Sequence, residues 1–230
     1  PVNRGEIMKL SDFSDMHHGQ RAFIIGNGDA LNDTDVSLLK DEITFGSNNI
    51  YLNKCFSEPI MYYAVEDNLI MRNFLNKIRE YPAKFKFFPE MYRKEIGANP
   101  NVFFFSFVHQ NPEKRFSTDC SQIIYWGSTI TYVHMQLAYY MGCNPVYLIG
   151  MGHIRPDNQQ THFVLEEEYY KGKRFHTSNW NRVFGYYGIA REAFESDGRE
   201  ILNATPINPI TNKPDVPNFD LVDYYSLFRR

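Results

Sequence analysis

The stretch RAFIIGNGDALNDTD, residues 21–35, carries a short apolar run that ends in Gly26-Asn27-Gly28 and opens into cap-forming residues. AFII with no polar alternation is the pattern of a strand buried on both faces, as in the middle of a parallel sheet. Asn32, Asp33, Thr34 and Asp35 stand ahead of Val36, Leu38 and Leu39 and predict a helix start. The glycines permit close backbone approach, and a following helix turns its N-terminal N–H groups toward an anion. The same three residues also suit a plain tight turn. They are neither a dinucleotide fingerprint, because Leu31 stands where the third glycine belongs, nor a phosphate loop, because no Gly-Lys-Ser/Thr follows.

The same rhythm recurs along the chain. EITFGSN (42–48) and PIMYYAVED (59–67) read as strands, and Asn68 to Tyr81 reads as an amphipathic helix. FKFFPE (85–90) and NVFFFSF (101–107) are rich in strand-favouring aromatics. GSTITYVHMQLAYYM (127–141) predicts a largely buried helix closed by Gly142. PVYLIGMG (145–152) is a second strand ending in glycine, 180–197 is helical, and REILNATP (199–206) is a last strand. Residues 153–178 are polar and irregular. Strands alternating with helices define the fold class as α/β: a single Rossmann-like domain with a mainly parallel sheet sandwiched by helices. We expect a lead-in arm over 1–20, the nucleotide-binding domain over 21–207 and a tail over 208–230.

Composition narrows the function classes. Charged residues make up 22% of the 230, and the formal net charge is -3, so no global attraction to nucleic acid is expected. The three cysteines, Cys55, Cys120 and Cys143, are odd in number and widely spaced, which fits a reducing compartment. No apolar run reaches the roughly 18 residues of a membrane span, so a cytoplasmic protein is expected, with peripheral contact to the inner membrane face open. The chain begins with Pro1, as an excised segment would.

In a parallel α/β sheet, ligands sit beyond the carboxyl ends of the strands. Here those ends are Gly26-Asn27-Gly28, Gly46-Ser47-Asn48-Asn49, Glu66-Asp67-Asn68, Gly150-Met151-Gly152-His153 and Asn203-Ala204-Thr205-Pro206. Small, amide and hydroxyl residues dominate. Amides offer a donor and an acceptor to a base or sugar hydroxyl.

Three blocks carry a resemblance: GNGDALNDTDVSLLKDEITFGSNNIYL, GSTITYVHMQLAYYMGCNPVYLIGMG and RFHTSNWNRVFGYYGIAREAFESDGREILNATP. Together they resemble the bacterial domain family that includes 6-hydroxymethylpterin diphosphokinase-like proteins and motility accessory factors of flagellin glycosylation. The order of motifs is also similar to the sialyltransferases of glycosyltransferase family 42. The resemblance spans roughly residues 20 to 207. It implies a sialyltransferase-like, GT-A-variant fold and transfer of an acidic sugar from a CMP-activated donor to a glycan or protein hydroxyl in lipopolysaccharide, capsule or flagellin glycosylation. The CMP-sugar is then a substrate, with no tightly bound cofactor.

By that resemblance Gly26, Asn27 and Gly28 contact the nucleotide phosphate and ribose, with Asn48 and Asn49 beside them. Gly127, Ser128 and Thr129 hold a carboxylate or phosphate at a helix start. Gly150 and Gly152 border the site, and Asn203 and Thr205 flank the base. His176 takes the place of the general base. The family's tyrosine-bearing turn stands here as Gly150-Met151-Gly152-His153, which makes His153 a second catalytic candidate. Lys173 replaces an aromatic three residues before His176 and, with Lys171, Arg174 and His162, forms a basic lid or acceptor segment around Gly172.

Rival readings stand beside these. His153, His162 and His176 could gather with Glu166 to Glu168 around a metal, although their spacing matches no ligand motif. Asp33-Thr34-Asp35 has the form of a metal-diphosphate motif but sits where a helix cap is needed. Glu66 and Asp67 could bind Mg2+, as an ATP-dependent pterin diphosphokinase-like enzyme would require. The third alternative is a non-catalytic nucleotide-sugar or glycan-binding module. A homo-oligomer is compatible with all three.

Overall fold

Ala22 to Ile25 are all buried, as the unbroken apolar run requires of a strand covered on both faces. The computed structural model of the chain describes residues 8–56, 58–152, 163 and 179–229. Its elements are β1 (Ala22–Ile25), β2 (Ile43–Ser47), β3 (Tyr62–Ala64), α1 (Asn68–Glu80), β4 (Phe85–Pro89), α2 (Arg93–Ile96) and β5 (Val102–Phe105). They continue with β6 (Phe107–Val108), β7 (Ile124–Tyr125), α3 (Ile130–Tyr140), β8 (Val146–Ile149), α4 (Trp180–Ser196) and β9 (Ile201–Asn203).

Seven strands form one sheet in the order β5-β4-β3-β2-β1-β8-β9, and every neighbouring pair is parallel. β1 is central, with Ala22 opposite both Ile43 and Val146. Side chains alternate across the sheet: Ala22, Ile24, Phe45 and Tyr62 join one core with residues of α3 and α4, while Phe23, Ile25, Tyr63 and Ile149 join the other with α1. The expected Rossmann-like α/β arrangement is thus present. No helix among the described residues is long and apolar enough to cross a membrane.

Between β1 and β2 the expected helix is replaced by two 3-10 turns, Asp29–Asp33 and Val36–Leu39. Asp35 caps the second turn as expected, its carboxylate accepting the Ser37 N–H at 3.1 Å, but that turn ends at Leu39 without becoming an α-helix.

The lead-in is built into the core: Phe13 is fully buried, its ring 4.7 Å from that of Phe103 and 5.1 Å from those of Phe85 and Phe87. The tail also packs on the domain, with Val216, Phe219 and Tyr224 buried. The Asn203 N–H donates to the Asp220 carbonyl at 2.9 Å, so the tail runs beside β9.

Candidate nucleotide site at the carboxyl edge of the sheet

Strand order reverses at β1, with β2 to β5 on one side and β8 and β9 on the other. The carboxyl ends of β1 and β8 therefore flank the topological switch point, the usual ligand position in open α/β sheets. These ends are the two glycine turns. The Gly26 N–H donates to the Ile149 carbonyl and the Gly28 N–H to the Gly150 carbonyl, both at 2.8 Å. A Cβ at Gly26 would stand 2.4 Å from the Gly150 oxygen, and one at Gly28 would stand 2.4 Å from the Gly152 nitrogen.

Glycine is required there because the two turns press against each other, before any ligand is considered. Gly150 also adopts φ +63°, and a Cβ on Gly152 would stand 2.7 Å from the Asp29 carboxylate. The same holds for Gly127, where a Cβ would meet the buried Tyr132 ring at 2.3 Å.

Beside this turn pair, polar side chains carry oxygens that find no partner among the described residues. Asn27 donates its amide to the Ser47 carbonyl at 3.2 Å and to the Ser47 hydroxyl at 3.3 Å, which leaves its buried Oδ1 without a partner. The next residue after Ser47, Asn48, is held at φ 50° while its carbonyl accepts the Tyr63 hydroxyl at 2.6 Å. Its Oδ1 is also buried and unpartnered.

On the facing helix layer Ser128 sits at φ 66°, and its buried Oγ has no partner. α3 leads directly into β8 and runs back along the sheet, so its N-terminus lies at the carboxyl edge. Thr129 caps that end by accepting the Thr131 N–H at 3.2 Å. Non-glycine residues in the left-handed region are uncommon, and two of the five among the described residues carry unpartnered polar atoms at this rim.

Tyr187 was not singled out from the sequence. It projects from α4, fully buried, with its hydroxyl beside those of Thr129 and Thr131 but completing no hydrogen bond. Burial pushes its pKa to about 12, so it is a neutral hydroxyl. A tyrosine on the apolar face of a helix, needing a partner for its hydroxyl, was the available signal.

Other candidates serve the framework. Asn49 is buried and accepts the Tyr51 hydroxyl at 3.2 Å. Asn203 accepts the Thr205 N–H at 2.9 Å and reaches the Val216 carbonyl at 3.5 Å, while the Thr205 hydroxyl accepts the Met151 N–H at 3.2 Å. These two side chains fasten β8, β9 and the tail together.

Asp67 caps α1, accepting from Leu69 N at 2.7 Å and Ile70 N at 3.0 Å. Glu66 is almost wholly buried, and that burial, with the Asp67 charge beside it, pushes its carboxyl to about 8. A magnesium ion at this strand end would have to ionise Glu66 and draw Asp67 from its cap. Among the described residues no group of three or more His, Cys, Asp or Glu is placed to hold a metal ion.

His153, His162, Lys173, Arg174 and His176, with Glu166 to Glu168, lie outside the described residues. Within that span Phe163 is described: it is buried, donates its N–H to the Asn27 carbonyl at 2.9 Å and accepts the Asn32 amide at 3.2 Å. Compared with models of known protein families and with curated proteins, this chain matches none.

Proposed function

We propose that the protein is a glycosyltransferase that uses a CMP-activated acidic sugar and acts on a glycan or protein hydroxyl. The observation that carries the nucleotide part is the group of unpartnered buried oxygens, Asn27 Oδ1, Asn48 Oδ1 and Ser128 Oγ, at the switch point of a parallel sheet. A buried polar atom without a partner costs about 1–3 kcal/mol, and a bound ligand that supplies donors relieves that cost. The amide oxygens accept ribose hydroxyls or a base amine. The Ser128 hydroxyl faces the departing phosphate, whose charge the α3 N-terminus favours.

The transfer part rests on the resemblance. His176 is assigned as the base that takes the acceptor hydroxyl proton, since an imidazole near neutrality suits that step. His153, Lys173, Arg174 and His162 belong in this reading to the phosphate and acceptor side.

The test is calorimetric titration with CMP, CDP, UDP, GDP and ATP, each with EDTA and with Mg2+. The expected result is binding of CMP in preference to the others with EDTA present, weakened in Asn27→Ala. Preference for ATP with obligatory Mg2+ overturns the reading and moves the chemistry toward Glu66 and Asp67. A CMP complex that turns over no CMP-sugar, and is indifferent to His176→Ala, reduces the protein to a binding module.

A further inference from the structure

Next to the α3 N-terminus lies a second feature that the nucleotide reading does not use. Arg182, in the first turn of α4, is exposed, and its guanidinium carbon lies 4.6 Å from the centroid of the Trp126 ring and 6.0 Å from that of Tyr186. Its backbone is held at the helix start by the Asn179 side chain, which accepts the Arg182 N–H at 3.2 Å. Among the described residues no carboxylate pairs with it. One turn further along the same helix face, a Cβ at Gly185 would stand 2.9 Å from Lys114 Nζ. Lys114 likewise has no acidic partner among the described residues, whereas its neighbour Arg115 pairs with Glu113.

The loop that carries Lys114 and Trp126 is firmly built. Asn111 is buried and donates its amide to the Arg115 carbonyl at 2.9 Å and the Trp126 carbonyl at 3.1 Å, while its Oδ1 accepts the Arg115 N–H at 2.7 Å. Tyr186 on α4 donates to the Asn111 carbonyl at 2.8 Å, and Tyr132 on α3 donates to the Arg115 carbonyl at 3.0 Å. Lys114 itself is held at φ 50°. Three elements are thus tied together so that an indole, a guanidinium and an ammonium share one edge, two residues before Ser128.

We infer that Trp126, Arg182 and Lys114 form the acceptor subsite and select an acceptor sugar bearing a carboxylate or phosphate. A guanidinium held over an indole keeps its N–H edges open, and that edge matches a carboxylate or phosphate in bidentate fashion. Lys114 adds a point charge from the side. Trp126 is partly exposed and offers an apolar surface to the sugar ring. The assignment to the acceptor rests on the transferase reading, because that reading puts the nucleotide phosphate at Ser128, two residues beyond Trp126.

The experiment is titration with sialyllactose, glucose 1-phosphate and neutral lactose, followed by calorimetry and by indole fluorescence. The chain has two tryptophans, so Trp180→Phe leaves Trp126 as the reporter. The expected result is binding of an anionic sugar in preference to lactose, weakened about tenfold in Arg182→Gln, less in Lys114→Gln, and only partly restored in Arg182→Lys. Which anionic sugar binds distinguishes a carboxylate from a phosphate acceptor.

Lactose binding as tight as that of both anionic sugars, no binding of either anionic sugar, or an unchanged affinity in Arg182→Gln overturns the inference. CMP affinity is measured on the same samples. Retained CMP binding without anionic-sugar selectivity removes this subsite alone. Anionic-sugar selectivity without CMP binding removes the transferase reading and leaves anionic-sugar recognition standing.

Discussion

Substituting alanine for Gly28 separates two reasons for a glycine at the end of β1. Gly28 has φ -69° and ψ 160°, a region open to every residue, so alanine meets no torsional penalty. At an uncrowded site this exchange stabilises by about 0.4–1 kcal/mol through the unfolded chain. Here the added carbon would stand 2.4 Å from Gly152 N, 2.5 Å from Gly152 O and 2.7 Å from Gly150 O, all of them backbone atoms. Reaching ordinary contact at 3.4 Å requires a shift of 3.4 − 2.4 = 1.0 Å between the β1 and β8 turns.

Such overpacking typically costs about 1–3 kcal/mol, and the rigidity of two opposed backbones places this case near the upper figure. For a domain of this size that lowers the melting temperature by roughly 6–12 °C. Urea and thermal unfolding without ligand measure it. Gly188→Ala is the control, because its Cβ would meet only Asn218 Nδ2 at 3.7 Å inside α4, and helix propensity favours alanine by up to about 1 kcal/mol. A Gly28→Ala protein as stable as the parent, yet unable to bind nucleotide, would refute the turn-packing account and return the glycine to the ligand.

Two buried titrating groups give opposite pH signatures. Glu66 keeps its proton in the folded protein up to about 8, whereas the unfolded chain loses it near 4.5, so the folded state binds more protons between these values and stability falls as pH rises through them. Glu66→Gln should flatten that fall, read as the urea midpoint from pH 5 to 8; parallel curves for the two proteins would contradict it. His134 on α3 is fully buried with both ring nitrogens unpartnered, and burial lowers its pKa to about 3. The unfolded chain takes up a proton near 6.5, so stability present above that pH is lost as pH falls toward 3. His134→Leu should be at least as stable at pH 7 and show a shallower acid limb; a steeper limb would disprove the assignment.

Much of the architecture was legible in particular residues. AFII announced a strand buried in a parallel sheet, VYLI a second strand closed by glycine, and the helix over Asn68–Glu80 followed from its apolar spacing. The carboxyl edge, with Asn27 and Asn48, could be located from the strand ends, whereas Ser128 entered only through the resemblance. Such signals are local: burial on both faces, helical period, a capping side chain.

Strand order and the partners of each side chain depend on segments far apart in the chain, and these the tertiary structure decided. It set Gly26 and Gly28 against Gly150 and Gly152, turned Asn203 and Thr205 inward, drew Phe13 into the aromatic core and spent Asp67 on a helix cap. It also brought Tyr187 beside Thr129 and Arg182 over Trp126. A sequence records which residues can be buried or turned; which of them meet is settled only when two layers of helices close on the sheet.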